Sequence, residues 1–145
     1  MKNIYYLAYG SNISKELIKQ HAKSAEFITT GLLKNYQLSF KSLDGIRSFA
    51  TIDKKRKSYV PFVIYKISQQ DLKELDIYEE LDTKLYYRKR IFVYINKRIY
   101  FPVVYIMNNQ AKCQIPTQEY LNKIYKGYKE YNLDTNYIEK NIKKI

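Results

Sequence analysis

The chain is poor in the residues that most often carry covalent or metal chemistry. Its 145 residues include one cysteine, Cys113, and one histidine, His21. A single cysteine excludes an intramolecular disulfide and a thiolate metal cluster, and a lone Cys near a strand end is ordinarily an inert small hydrophobe. A Ser-His or Cys-His mechanism would have to use His21. That residue follows a basic stretch at an expected helix end, where an exposed imidazole has a structural use. No run approaches the roughly 18 apolar residues of a membrane span, and the start of the chain has no secretory pattern, so a cytoplasmic protein without a membrane partner is expected. There are only three prolines and four glycines, with no Pro/Gly/Ser-rich linker and no internal repeat, and residues 1–145 read as one domain.

Acidic residues are also scarce, 14 against 26 Lys and Arg, for a formal net charge of +12. Such an excess raises nucleic acid as a partner. The cations are scattered through Lys54-Lys55-Arg56-Lys57, Arg88-Lys89-Arg90 and Lys143-Lys144 rather than gathered into one motif, and charge runs are usually solvated surface, so nucleic acid is not the expected partner. What the chain has in quantity is apolar and aromatic side chains, 46% and 16%, with 17 tyrosines. That is enough to build a substantial core.

The pattern of elements is strand-rich at first and helical at the end. Strands are expected over Ile4 to Ala8, Glu26 to Thr29, Leu32 to Phe40 with Gly31 as the break, Phe49 to Ile52 and Tyr59 to Ile67. The pair Tyr86 to Ile95 and Arg98 to Met107, joined by Asn96-Lys97, reads as an antiparallel hairpin. Helices are expected from Ser14 to His21, from a capping-box pattern at Ser68-Gln69-Gln70-Asp71 to about Glu80, from Thr117 to about Tyr131, and from Asp134-Thr135 onward. This order predicts an α+β domain, a mixed or antiparallel sheet curled into a small barrel with flanking helices.

Two places stand out for chemistry. Tyr9-Gly10-Ser11-Asn12 sets a glycine and two cap-forming residues directly behind an apolar strand, a strand, turn and helix-start signature. In the helix after Ser68, Leu72 and Leu75 define the apolar stripe, and Glu79 projects between them while Lys73, Glu74 and Ile77 point away. A carboxylate on that face is either desolvated, with a raised pKa suited to proton transfer, or paired with Arg88 or Arg90 at a frayed helix end.

These segments resemble the gamma-glutamylcyclotransferase-like proteins, whose marks are a strand ending in YGSN, an LDxYEG-like helix followed by a Tyr, and a PSxxY…GY segment. The corresponding residues are Leu7-Ala8-Tyr9-Gly10-Ser11-Asn12, Phe49-Ala50-Thr51-Ile52, Leu75-Asp76-Ile77-Tyr78-Glu79 with Tyr86, and Pro116-Thr117-Gln118-Glu119-Tyr120 with Gly127-Tyr128. The resemblance spans nearly the whole chain. It implies a small barrel and cyclisation of a gamma-glutamyl amide to 5-oxoproline, with Glu79 as proton acceptor, the backbone of Leu7, Ala8, Tyr9, Gly10, Ser11 and Asn12 binding a small gamma-glutamyl substrate, Tyr120 hydrogen-bonding it, and Tyr86 walling the pocket. The substrate carries its own nucleophile, so neither metal nor cofactor is required. Two positions depart from the family pattern: Glu80 stands where Gly is usual, and Phe62 where a small residue is usual. A non-catalytic binding module of the same fold and a basic nucleic-acid binder are the competing readings.

Overall fold

The computed structural model describes residues 3–145. Strand β1 (Ile4–Ala8) lies inside a six-stranded sheet of order β4-β7-β1-β3-β2-β8. Its neighbours are β3 (Phe49–Ile67), antiparallel, and β7 (Val103–Met107), parallel; every other pairing is antiparallel. The sheet is therefore mixed, and it is curled into a half-barrel. Helices α1 (Lys15–His21), α2 (Gln69–Tyr78), α3 (Gln118–Glu130) and α4 (Asn136–Ile142) flank it. Apolar residues from both layers meet in one core around Leu7, Ile64, Leu75, Val104, Ile124 and Ile138, all fully buried.

The structure corrects several boundaries. Strand β2 (Glu26–Ser42) is continuous through Gly31, and its breaks are register shifts at Phe27/Thr29 and Lys34/Tyr36. Gly31 sits opposite Phe62, and a Cβ there would stand 2.6 Å from the Phe62 ring, so the glycine makes room for that side chain rather than ending a strand. Phe62 is consequently sealed in the core. The expected gap between Phe49–Ile52 and Tyr59–Ile67 is instead an irregular stretch of β3. Residues 55–58 have no register partner there, and Asn35 and Lys57 both take positive φ.

The Asn96-Lys97 turn forms as expected, both residues having positive φ, the geometry that matches strand twist. Each arm is split, however, into β4 (Tyr86–Arg90) with β5 (Val93–Ile95), and β6 (Arg98–Tyr100) with β7. The halves β4 and β7 join the main sheet, while β5 and β6 form a separate two-stranded one. Pro102, which has no N–H to give to a ladder, stands at the split. Strand β8 (Lys112–Cys113), unmarked in the sequence, adds to the edge of β2 and leaves Cys113 exposed.

The segment after β1 is a 3-10 turn, Ser11–Ile13, and Ser11 and Asn12 belong to it instead of capping a helix; Ser14 takes the cap position of α1. Helix α3 presses onto this turn. A Cβ on Gly127 would lie 2.7 Å from both Ile13 Cγ2 and the Ser14 backbone nitrogen. Backbone cannot yield as a side-chain tip can, so Gly127→Ala is expected to destabilise the protein by roughly 1–3 kcal/mol. Thermal denaturation of the variant measures this; an unchanged Tm would contradict the close seating of α3.

Candidate functional site

Strand β1 stops at Ala8, whereas β3 on one side and β7 on the other run past it. Hydrogen bonds between side chains and backbone bridge the resulting gap: Met107 N–H donates to Thr51 Oγ1 at 2.9 Å, and Tyr86 Oη donates to the Ala50 carbonyl at 2.6 Å. Above this gap lies a cavity of about 360 Å³. Its walls come from the turn after β1 (Tyr9, Gly10, Ser11, Asn12), the start of β3 (Phe49, Ala50), the end of α2 (Tyr78, Glu79, Glu80), and Tyr6, Tyr86, Tyr105 and Tyr120, with Arg47 at the side. Leu7 and Ala8 do not line it. They are paired with Ile64 and Val63 in β1, with side chains buried in the core behind the pocket.

Glu79 is the C-cap of α2, and its N–H still bonds the Leu75 carbonyl at 2.8 Å, so the side chain leaves in helical register. The helix thus ends at Tyr78, two residues before the expected Glu80. Among the described residues the Glu79 carboxylate has no hydrogen bond or ion pair; Arg88 is taken by Asp76 at 2.6 Å and Arg90 stacks over Phe101. Pairing at a frayed end is therefore not what is found. Desolvation by the tyrosine-lined walls, with a smaller contribution from the charge of Glu80, pushes the Glu79 carboxyl up to about 8.

Glu80 has φ +52°. Its N–H bonds the Ile77 carbonyl and that of Leu81 bonds Asp76, the paired bonds of a left-handed helix termination where glycine is the unstrained choice. This explains why a glycine suits the position. Here the extra carboxylate holds Arg47 Nη1 at 2.9 Å, while Arg47 Nε donates to Asp44 at 3.0 Å. Glu80→Gly is expected to relieve the strain, release Arg47 and remove a negative neighbour from Glu79, moving the Glu79 titration toward acid. A carboxyl titration followed by NMR checks it; a shift toward alkaline pH would contradict the assignment of Glu80 as a raising charge.

Gly10 has φ −115° and ψ −135°, outside the ordinary strand and helix regions, and space is short there too: a Cβ would stand 3.3 Å from Ala50 Cβ and 3.6 Å from Tyr120 Oη. Tyr120 Oη accepts the Ala50 N–H at 3.0 Å, which leaves its own proton to donate toward Ser11 or a bound molecule. Burial pushes the Tyr120, Tyr86, Tyr9 and Tyr6 hydroxyls well above their ordinary values, so all four remain neutral donors. Asn12 is buried and donates to Tyr6 Oη at 3.2 Å, while its carbonyl oxygen Oδ1 has no partner. A buried acceptor without a donor is costly unless something else fills it. The Ser11 and Asn12 N–H groups open the 3-10 turn and have no acceptor within it.

The structure thus brings together Glu79, Tyr9, Gly10, Ser11, Asn12, Tyr86 and Tyr120, and leaves Leu7 and Ala8 behind the wall. His21 is half-buried and stacks on Tyr78, ring centroids 3.7 Å apart, outside the cavity. Sequence reasoning missed Tyr6, Tyr105, Asp76 and Arg47. Asp76 accepts from Tyr105 Oη at 2.6 Å and Tyr9 Oη donates to the Tyr105 carbonyl at 2.5 Å, so these three pin α2, β7 and the turn against one another. For Tyr105 and Asp76 the only sequence signal is that Asp76 lies three residues before Glu79 in the same helix. Among the described residues no three His, Cys, Asp or Glu side chains converge as a metal site would need.

The curled mixed half-barrel thus holds a pocket in which one carboxylate, without a partner among the described residues, faces neutral hydroxyls and the opening N–H groups of the 3-10 turn. The chain belongs to the AIG2-like family, whose model matches residues 60–140. A Homo sapiens protein named gamma-glutamylcyclotransferase is 29% identical over 147 residues, covering 96% of this chain and 77% of that protein. Among solved structures, a gamma-glutamyl cyclotransferase superposes with TM-score 0.87 at 27% identity, over 99% of this chain and 88% of the other. An uncharacterized Homo sapiens protein gives TM-score 0.87 at 28% identity, over 100% and 89%.

Proposed function

We propose that the protein cyclises a gamma-glutamyl amide, from a gamma-glutamyl amino acid or a gamma-glutamylamine, to 5-oxoproline and a free amine. The observation that carries this reading is Glu79, a carboxylate that has no partner among the described residues and lines a pocket of neutral tyrosine hydroxyls, in a chain similar to named gamma-glutamylcyclotransferases. The reaction suits such a site because the substrate brings its own nucleophile. Glu79 takes one proton from the α-ammonium, and the amine nitrogen attacks the γ-carbonyl carbon. The ring C–N bond forms, the original amide C–N bond breaks, and Glu79 returns its proton to the departing nitrogen. The second ammonium proton, left on the ring nitrogen after attack, reaches the released amine through solvent. No atoms or electrons are left over.

The remaining groups supply positioning and charge stabilisation. Ser11 and Asn12 N–H groups, with Tyr120 Oη, are placed to receive the substrate carboxylate or the developing oxyanion. Asn12 Oδ1 is a ready acceptor for the substrate ammonium or amide N–H. Holding the chain folded back on itself is worth ~7–11 kcal/mol in well-oriented intramolecular reactions, and proton transfer by Glu79 adds about 10²–10⁴-fold. Phe62 packs on Gly31 in the core and lies outside the cavity lining, so its bulk does not narrow the pocket directly.

The test is incubation with a panel of gamma-glutamyl amino acids and gamma-glutamylamines, with mass-spectrometric detection of 5-oxoproline. Release from at least one class supports the reading. Binding without release across the panel would favour a non-catalytic module of the same fold.

A further inference from the structure

The separate β5–β6 hairpin is apolar on both faces. Val93 and Tyr100, paired with each other, point inward and are buried. The opposite face carries Phe92, Tyr94, Ile99 and Phe101, of which the first three are 66–70% exposed and Phe101 41%. Tyr94 and Ile99 are direct register partners, and Phe92 stacks on Phe101 with centroids 4.0 Å apart, so the four form one contiguous patch. None of them lines the cavity around Glu79. Two-stranded ribbons ordinarily turn a polar face to water. An outward apolar face of this kind calls for a covering partner.

Charge identifies the partner. From Asp82 to Glu119 the sequence contains no other acidic residue, but it does contain Lys84, Arg88, Lys89, Arg90, Lys97, Arg98 and Lys112. Arg90 lies over the Phe101 ring, Arg98 lies over Tyr100 with one N–H toward Tyr5 Oη, and Lys97 occupies the turn; all three are exposed, and none has an ion pair among the described residues. A second copy of this chain would bring these cations face to face in a protein already at +12. Exposed aromatic and aliphatic side chains flanked by cations on flexible stems match an anionic bilayer surface, whose headgroups take the cations while its acyl boundary takes the apolar tips.

We infer that the protein binds anionic lipid surfaces peripherally through the Phe92–Phe101 hairpin. The sequence argues against a spanning helix, and no helix of the described residues is long and apolar enough to cross a membrane. A surface contact through a hairpin is a different mode, and it revises the expectation of no membrane partner. The hairpin lies outside the cavity, so this inference is independent of the proposed reaction.

Vesicle co-sedimentation tests it, using phosphatidylcholine alone and phosphatidylcholine mixed with phosphatidylserine. The full chain should pellet with the mixed vesicles and stay in solution with phosphatidylcholine alone. Phe92→Ser/Ile99→Ser should lower the partition coefficient about tenfold or more. Arg90→Gln and Lys97→Gln should each lower it about fivefold. Retained thermal melting of the variants establishes that they are folded, and Tyr94→Ser serves as a milder replacement if the double variant is not. Mixed-vesicle binding that the serine substitutions leave unchanged would overturn the inference, since the general positive charge would then account for it. A dimer in sedimentation velocity that the same substitutions dissociate would overturn it as well, by showing that the patch is covered by a second copy.

Discussion

Glu79→Gln should abolish turnover while making the folded protein more stable at alkaline pH. The amide is nearly isosteric with the carboxyl but cannot carry a proton from the attacking amine to the departing one, and the loss is expected to be at least 10²–10⁴-fold in kcat. The stability effect follows from linkage. The Glu79 carboxyl sits at about 8 in the folded protein against 4.5 for an unperturbed side chain. Folding therefore favours the protonated form, and that preference is fully present below pH 4.5 and is lost as pH rises through 8. Glutamine has no such loss. Allowing for solvent in the open pocket, the variant should gain roughly 2–4 kcal/mol over the wild type near pH 8, and nothing near pH 4. Denaturation at the two pH values reads this directly. Equal stability at both would mean that the carboxylate is solvated, and retained turnover would remove Glu79 from the reaction.

The second large effect belongs to Gly10. Its ψ of −135° lies outside the ordinary strand and helix regions, so a thermal melt of Gly10→Val must first establish that the variant is folded; its added methyls would then occupy the space between Ala50 and Tyr120 Oη. Substrate would be held about an ångström farther from the Ser11 and Asn12 N–H groups than in the wild type, a displacement worth about 10²-fold in kcat/KM. Gly10→Ala should be milder, because Ala50 needs to give only a few tenths of an ångström. Wild-type kinetics in the valine variant would show that this turn shapes the fold and does not touch the substrate.

Much of this was legible because local patterns carried it. The capping box at Ser68 and Asp71 forms as its residue types demand, the Thr117 side chain caps α3, and the Asp134 carboxylate accepts the Asn136 N–H at the start of α4. The direction of Glu79 followed from helical spacing to Leu72 and Leu75, which are buried. What stayed illegible depends on contacts between distant segments. Gly31 reads as a strand break until Phe62 is seen to fill its missing Cβ, and the charged stretch Asp53 to Ser58 reads as a loop because it is an irregular, solvent-facing stretch of a long strand. Arg47 could not be placed at the pocket because it lies far in sequence from Glu80, which holds it. The division of the Asn96-Lys97 hairpin between two sheets is likewise a tertiary outcome, with Pro102 its one local sign.

The most direct measurement is the pH dependence of kcat/KM for 5-oxoproline release from a gamma-glutamyl substrate, from pH 5 to 9.5, corrected for the ionisation of the substrate amine. With Glu79 as the proposed base, at about 8 in the unliganded protein, kcat/KM is expected to rise through that pH. The corresponding edge in kcat should lie at lower pH, because the bound ammonium favours the ionised carboxylate. Glu80→Gly should move the kcat/KM edge toward acid, and Glu79→Gln should leave no edge to measure. An edge at pH 4–5 that neither substitution shifts would contradict the account, because the proton would then be carried by some group other than a desolvated Glu79.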